Sequence, residues 1–355
     1  MSKFLSEKFK SLEAYVPGEQ PKDRRYIKLN TNESPFPPSE SVMRAVEGEL
    51  DSLQLYSDPE CTSLVREMAR VYGVDESCIV MNNGSDETLN FAFMAFCDKE
   101  HGAIFPDITY GFYSVFAELH GIPYEQIPLT DSFEVNYRDY VGKGKTVFIA
   151  NPNAPTGIAL PLSEIEEIVK SNPDNVVVID EAYVDFGAES AVKLTKKYNN
   201  LLVVGTFSKS RSLAGARLGF GIASSEIIED LSKIRYSTNP YNVNRMTMAA
   251  GCAALRDNSY YMDNCKVIAE NRSYTQEQLK ALGFTFTDSL ANFVFARSEK
   301  ISGEELYTEL KSRGILVRHF SKARIKEYNR ITVGTLEEMK ALISAIKDIF
   351  KEKRI

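Results

Sequence analysis

The chain has 355 residues, 43% hydrophobic and 26% charged, an ordinary globular composition long enough for one large domain and a smaller one. Its net charge of -7 argues against a nucleic-acid or anionic-membrane partner, and no stretch reaches the roughly 18 apolar residues of a membrane span. The cysteines contain no Cys-x-x-Cys pair and the histidines (His101, His120, His319) are scattered, which points to a reduced cytoplasmic protein without a metal site.

Residues 1–40 are polar and punctuated by Pro17, Pro21, Pro35, Pro37 and Pro38, and they read as an arm that joins another part of the molecule. The arm opens Met-Ser-Lys-Phe-Leu-Ser-Glu-Lys, without the apolar core of a signal peptide. Over residues 41–244, short β-branched runs alternate with helical patterns. Strands are predicted at 79–81, 103–105, 146–150, 176–180, 201–206 and 218–222. Helices are predicted at 63–72, 87–97, 112–120 and 162–171. Strand runs without polar alternation are buried on both faces, so the fold class is α/β, with a mainly parallel sheet covered by helices. Residues 245–355 change character. One long helical segment over 245–282 precedes strands at 292–296, 315–318 and 330–333 and a terminal helix at 337–352, a smaller α+β domain.

In a parallel sheet, reactive groups gather where strands end. Asn82-Asn83-Gly84-Ser85-Asp86-Glu87 follows the first of these strands, with Gly84 permitting close approach and Ser85 placed to cap a helix whose N–H groups suit a phosphate. Tyr110, after 103–105, is placed to stack on a planar ring. The stiff turn Asn151-Pro152-Asn153-Ala154-Pro155-Thr156-Gly157 brings asparagines to another strand end. Asp180, in Asp180-Glu181-Ala182-Tyr183, is a buried carboxylate in want of a cation, for which a protonated pyridine nitrogen serves. Lys209 lies in Thr206-Phe207-Ser208-Lys209-Ser210, with Arg217 beyond it. A lysine among hydroxyls at a strand end suits an aldehyde cofactor held as a Schiff base, its phosphate beside Ser208 and Arg217. Each motif alone also reads as a plainer cap, turn, packing aromatic or solvated loop. Their joint order, each after a predicted strand, is far more specific.

On these motifs the chain resembles the fold-type I pyridoxal-phosphate aminotransferases over nearly its whole length. Within them it is similar to the histidinol-phosphate aminotransferase family. The marks are Leu29-Asn30-Thr31-Asn32-Glu33-Ser34-Pro35, Tyr56-Ser57-Asp58-Pro59, Gly84-Ser85-Asp86-Glu87, Ala291-Asn292-Phe293, Gly314-Ile315-Leu316-Val317-Arg318 and Arg330-Ile331-Thr332-Val333-Gly334-Thr335. The resemblance implies a ping-pong amino transfer between L-histidinol phosphate and 2-oxoglutarate on pyridoxal 5′-phosphate. Aromatic-amino-acid transfer and decarboxylation of a phosphorylated amino acid remain as alternatives on the same fold.

By the same resemblance, Lys209 anchors the cofactor and moves the substrate proton, Asp180 pairs the pyridinium, Tyr183 bonds the ring hydroxyl and Tyr110 stacks on the ring. Gly84, Ser85, Thr206, Ser208 and Arg217 surround the phosphate, with Asp86 acting through backbone or water. The family's asparagine before Pro-Thr-Gly is Ala154 here, and Asn153 is the substitute expected beside it. Arg330 and Arg318 bind the substrate's anionic group. Tyr15 and Asn32 belong to the substrate pocket, and Tyr56 reaches the cofactor of a neighbouring subunit in a homodimer.

Overall fold

The computed structural model describes residues 2–355. In chain order the strands are β1 (Ile27–Leu29), β2 (Ile79–Asn82), β3 (Ala103–Pro106), β4 (Tyr124–Ile127), β5 (Thr146–Ala150), β6 (Val177–Asp180), β7 (Leu201–Thr206), β8 (Gly219–Ile222), β9 (Phe284–Phe286), β10 (Phe293–Ser298), β11 (Ile315–His319) and β12 (Asn329–Thr332). The α-helices are α1 (Glu40–Glu47), α2 (Thr62–Tyr72), α3 (Ser85–Phe96), α4 (Phe112–His120), α5 (Leu162–Ser171), α6 (Ser225–Thr238), α7 (Arg245–Arg256), α8 (Asn258–Ala281), α9 (Gly303–Ser312) and α10 (Leu336–Lys353).

A seven-stranded sheet has the order β2-β8-β7-β6-β5-β3-β4. Strands β7, β6, β5, β3 and β4 are mutually parallel, as the apolar runs predict, while β8 runs antiparallel to both β7 and β2. The reversal follows from the connection: residues 207–218 return the chain without a crossover helix, and only antiparallel pairing accepts such a return. Every residue of β2, β3, β5, β6, β7 and β8 is buried. The edge strand β4, Tyr124-Glu125-Gln126-Ile127, is half polar and solvated, so hydropathy did not mark it.

A second sheet has the order β1-β11-β12-β10-β9, with β1 parallel to β11 and the other pairs antiparallel. Its apolar core gathers Leu29, Phe293, Ile315, Ile331, Leu342 and Ile346, with α10 laid across it. Strand β1 comes from the N-terminal segment, so that segment is built into the edge of the second sheet, and its residues 15–18 and 30–32 line a cavity there. Helix α10 starts at a reciprocal capping box between Thr335 and Glu338. The single helical segment expected over 245–282 is two helices. Asp257 breaks it at φ -87, ψ 30, and its carboxylate accepts a hydrogen bond from Ser41.

Candidate active site

The carboxyl ends of β5, β6 and β7, the segment after β3 and the start of α3 enclose a cavity of about 250 Å³. Its walls include Ser85, Asp86, Tyr110, Asp180, Tyr183, Thr206, Ser208, Lys209 and Arg217. The local cause is shared: an apolar run ends, the chain turns, and the next polar residues face the sheet's open edge.

At one end Gly84, with φ 82 and ψ 162, occupies the N-cap of α3, and Ser85 is the first helical residue. This corrects the expectation that Ser85 caps the helix. Glycine is required at this N-cap by the backbone, because L side chains rarely adopt φ 82, and a Cβ would also lie 2.6 Å from Arg217 Nη2. Gly219, at the start of β8, is needed for a different reason, since a Cβ there would collide with the backbone amide of Ser85. Arg217 donates through Nη2 to Asp86 Oδ2 (3.0 Å) and through Nη1 to Ser208 Oγ (3.5 Å). Tyr110 Oη donates to Asp86 Oδ1 at 2.6 Å, so Asp86 orients both the aromatic ring and the arginine by direct side-chain contact. Thr206 Oγ1 donates to Ser208 Oγ at 3.0 Å. Free helix N–H groups, hydroxyls and a guanidinium form a cradle that fits a phosphate dianion.

At the other end Asp180 is 4% exposed. Tyr113 Oη donates to its Oδ2 at 3.0 Å and the Ala182 amide to its Oδ1 at 3.2 Å. Burial pushes the carboxyl up to about 6 despite these two donors. A cation in front of it would favour the ionised form, so the donor set fits a protonated ring nitrogen. Tyr113 was not singled out in the sequence, because a tyrosine in an apolar helix carries no sign of its partner.

Between the two ends, Lys209 Nζ donates to the Thr31 carbonyl at 3.1 Å. Burial, then the Arg330 guanidinium, brings its ammonium down to about 8. A substantial neutral fraction near physiological pH suits a nucleophile and a base. Tyr183 Oη accepts from Asn32 Nδ2 at 3.0 Å.

Asn153 is elsewhere. Its Nδ2 donates to Ile108 O (3.0 Å) and Thr156 Oγ1 (3.1 Å), and its Oδ1 accepts from Thr109 Oγ1 (2.7 Å). Those loop bonds occupy the whole amide and turn it toward a different cavity, so the contact expected of Asn153 is not made; Ala154 faces the Lys209 cavity in its place.

A larger cavity of about 560 Å³ adjoins the first through Thr31, Tyr110, Ala154, Tyr183 and Lys209. It is lined by Tyr15, Asn32, Arg318, Lys322 and Arg330, and its walls contain no aspartate or glutamate among the described residues. Arg318 and Arg330 face each other in the β11–β12 register. Arg330 donates through Nη2 to the Asn30 carbonyl at 3.1 Å, while its buried Nε has no partner. Arg318 donates to the carbonyls of Val16 (3.1 Å) and Pro17 (3.2 Å), which ties the arm to the cavity. Tyr15 stacks on Phe112 with centroids 4.1 Å apart, closing one wall. Two opposed guanidiniums without a facing carboxylate favour an anion between them. Lys322 was missed in the sequence, where a loop lysine reads as solvated.

Tyr56 lines neither cavity. It is 79% exposed and stacks on Tyr241 at 4.5 Å. Among the described residues no His, Cys, Asp or Glu cluster is arranged to hold a metal, and no helix is long and apolar enough to cross a membrane.

The model of the aminotransferase class I and II family matches residues 24–346. The chain is 51% identical to histidinol-phosphate aminotransferase of Brachyspira hyodysenteriae over 353 residues, covering 99% of this chain and 100% of that protein. It is 47% identical to the protein of the same name from Clostridium acetobutylicum over 349 residues, 98% and 99% of the two chains. In fold it superposes on histidinol-phosphate aminotransferase from Sinorhizobium meliloti, solved in complex with pyridoxal-5′-phosphate, with a TM-score of 0.90 at 23% identity over 99% of both chains.

Proposed function

This chain belongs to the aminotransferase class I and II family, and on that premise we propose that it transfers the amino group of L-histidinol phosphate to 2-oxoglutarate, with pyridoxal 5′-phosphate as cofactor. The observation that carries the substrate is the Arg318–Arg330 pair in a cavity without carboxylates. Histidinol phosphate has no carboxylate, so its phosphate is the one handle such a cavity can hold. The name shared by the full-length relatives supports the same reading.

Bound between the phosphate cradle and Asp180, the cofactor supplies an electron sink for the charge left at the substrate's Cα. The chain supplies the rest. Ser85, Thr206, Ser208 and Arg217 hold the phosphate end, Tyr110 covers the ring face, and Asp180 sustains positive charge at the ring nitrogen. Tyr183 would bond the ring hydroxyl. Lys209 would hold the cofactor through its aldehyde, with loss of water, and once freed would carry the proton at the substrate's Cα; its lowered affinity for protons fits both roles. Arg330, Arg318 and Lys322 take the substrate phosphate, and Tyr15 and Tyr110 bound the space for its ring. We further propose a homodimer in which Tyr56, exposed and outside the walls of its own cavities, serves the neighbouring subunit. The free cysteines support a cytoplasmic location.

A donor panel tests the substrate. With 2-oxoglutarate present, kcat/KM for histidinol phosphate should exceed that for phenylalanine or tyrosine by about 100-fold or more, the scale set by an anionic handle on paired guanidiniums. The reverse ranking makes the protein an aromatic aminotransferase. Release of carbon dioxide from a phosphorylated amino acid without an oxo acid makes it a lyase.

A further inference from the structure

Asn32 sits between the two sheets in a fully specified environment. Its φ of 56 is left-handed, and it is 1% exposed. The backbone amide donates to Thr332 Oγ1 at 2.9 Å, and the backbone carbonyl accepts from Asn292 Nδ2 at 3.0 Å. The side chain makes two bonds. Oδ1 accepts from Thr332 Oγ1 at 3.0 Å, and Nδ2 donates to Tyr183 Oη at 3.0 Å.

Only one arrangement of hydrogens satisfies this set. Thr332 Oγ1 accepts from the Asn32 amide, and among the described residues its own hydrogen has one acceptor within reach, Asn32 Oδ1. Turning the Asn32 amide over would leave the Thr332 hydroxyl hydrogen without an acceptor at a site 2% exposed. The Asn32 NH₂ therefore points at Tyr183, whose oxygen accepts. No protein acceptor takes the Tyr183 hydrogen among the described residues, and Tyr183 lines the Lys209 cavity. Ala154, from the facing loop, contributes no donor there.

We infer that Asn32 is a positioning residue that commits the Tyr183 hydroxyl to donate into the Lys209 cavity, and so makes Tyr183 a hydrogen-bond donor to an anionic oxygen of the bound group. The inference rests on the proposed cofactor, whose ring oxygen is the acceptor. Burial holds the Tyr183 hydroxyl above its ordinary range, which keeps the hydrogen in place. Asn32 thus acts through Tyr183 without itself touching the ring, and it also lines the larger cavity where a substrate contact is expected of it.

The test is a pH titration of the visible absorption of cofactor-loaded protein. A donor to the ring oxygen favours the deprotonated chromophore, so removing the constraint raises the midpoint. Asn32→Asp, equal in size, tolerant of φ 56 and able only to accept, draws the Tyr183 hydrogen out of the cavity and should raise it by about one pH unit, the tenfold scale of one charge-assisted hydrogen bond. Ala154→Asn added to that variant supplies a donor directly and should bring the midpoint back down. Should Asn32→Asp fail to fold, Thr332→Val frees the amide to turn over and present Oδ1 to the Tyr183 hydrogen, and should shift the midpoint in the same direction by less. With substrate, kcat should fall and KM change little. An unchanged midpoint in a loaded Asn32→Asp or Thr332→Val protein overturns the inference while leaving the cofactor reading intact. Absence of a visible band in the unaltered protein overturns the cofactor reading itself.

Discussion

Tyr113 donates its hydroxyl hydrogen to Asp180 Oδ2 across 3.0 Å, from α4 to the end of β6, with both side chains buried. The bond opposes the rise that burial imposes on the carboxyl. Tyr113→Phe removes it, so Asp180 should titrate higher still and hold a ring cation less well at acid pH. Cofactor affinity, measured by fluorescence titration, should fall about 5-fold, the scale of one such bond, and fall further as pH decreases. A pH-independent loss would mean that Tyr113 acts by packing alone.

Asp180 burdens the cofactor-free fold. Its folded value of about 6 lies above the ordinary 3.8, so the native state binds the extra proton. The cost is therefore full above about pH 6, shrinks as pH falls from 6 to 4, and is absent below both values. Cofactor-free Asp180→Asn should be more stable than the unaltered protein at pH 8 by about 1–3 kcal/mol. Urea unfolding should show the gap closing near pH 4. The same variant should lose nearly all transamination, since an amide cannot sustain the ring's positive charge.

Lys209→Ala should abolish the visible band and lower turnover by about 10⁴-fold or more, as loss of both covalent attachment and the proton-transfer group requires. Borohydride reduction of the unaltered protein, followed by peptide mapping, should place the cofactor on Lys209. Labelling of any other lysine would reassign the site.

Arg330 and Arg318 face each other across β11 and β12. Arg330→Lys keeps the charge and loses the planar fork, so KM for a phosphorylated donor should rise about 10–100-fold. Lys322→Ala, at an exposed position on the cavity rim, should cost only about 2–5-fold and become silent at high salt. Equal effects from both would argue for a diffuse anion field over a built phosphate site.

If Tyr56 serves the neighbouring subunit, Tyr56→Ala and Lys209→Ala are complementary lesions. Each homodimer alone should bind cofactor weakly or without covalent attachment. Mixed dimers should regain one intact site in which Lys209 of one subunit meets Tyr56 of the other. Spectral titration of refolded mixtures measures this directly, and no recovery would place Tyr56 outside the site.

The chain alone dictated the parts that local chemistry controls. The apolar runs ending at Ala150, Asp180 and Thr206 are buried strands because nothing polar interrupts them. The groups that follow them meet in one cavity because parallel strands end on one side. What only the tertiary structure decided lies between distant segments. Strand β1 exists through pairing with β11, far along the chain, and the solvated edge strand β4 has no apolar signature. Asn153 and Ala154 are neighbours, yet three loop hydrogen bonds turn one away while the other meets the Lys209 cavity. Asn32 meets Tyr183, and Tyr113 meets Asp180, only after packing brings their elements together. Hydrophobic periodicity reports which face of an element is buried. It carries no record of which buried polar group will answer another, because that pairing is chosen when the whole set of hydrogen bonds is satisfied at once.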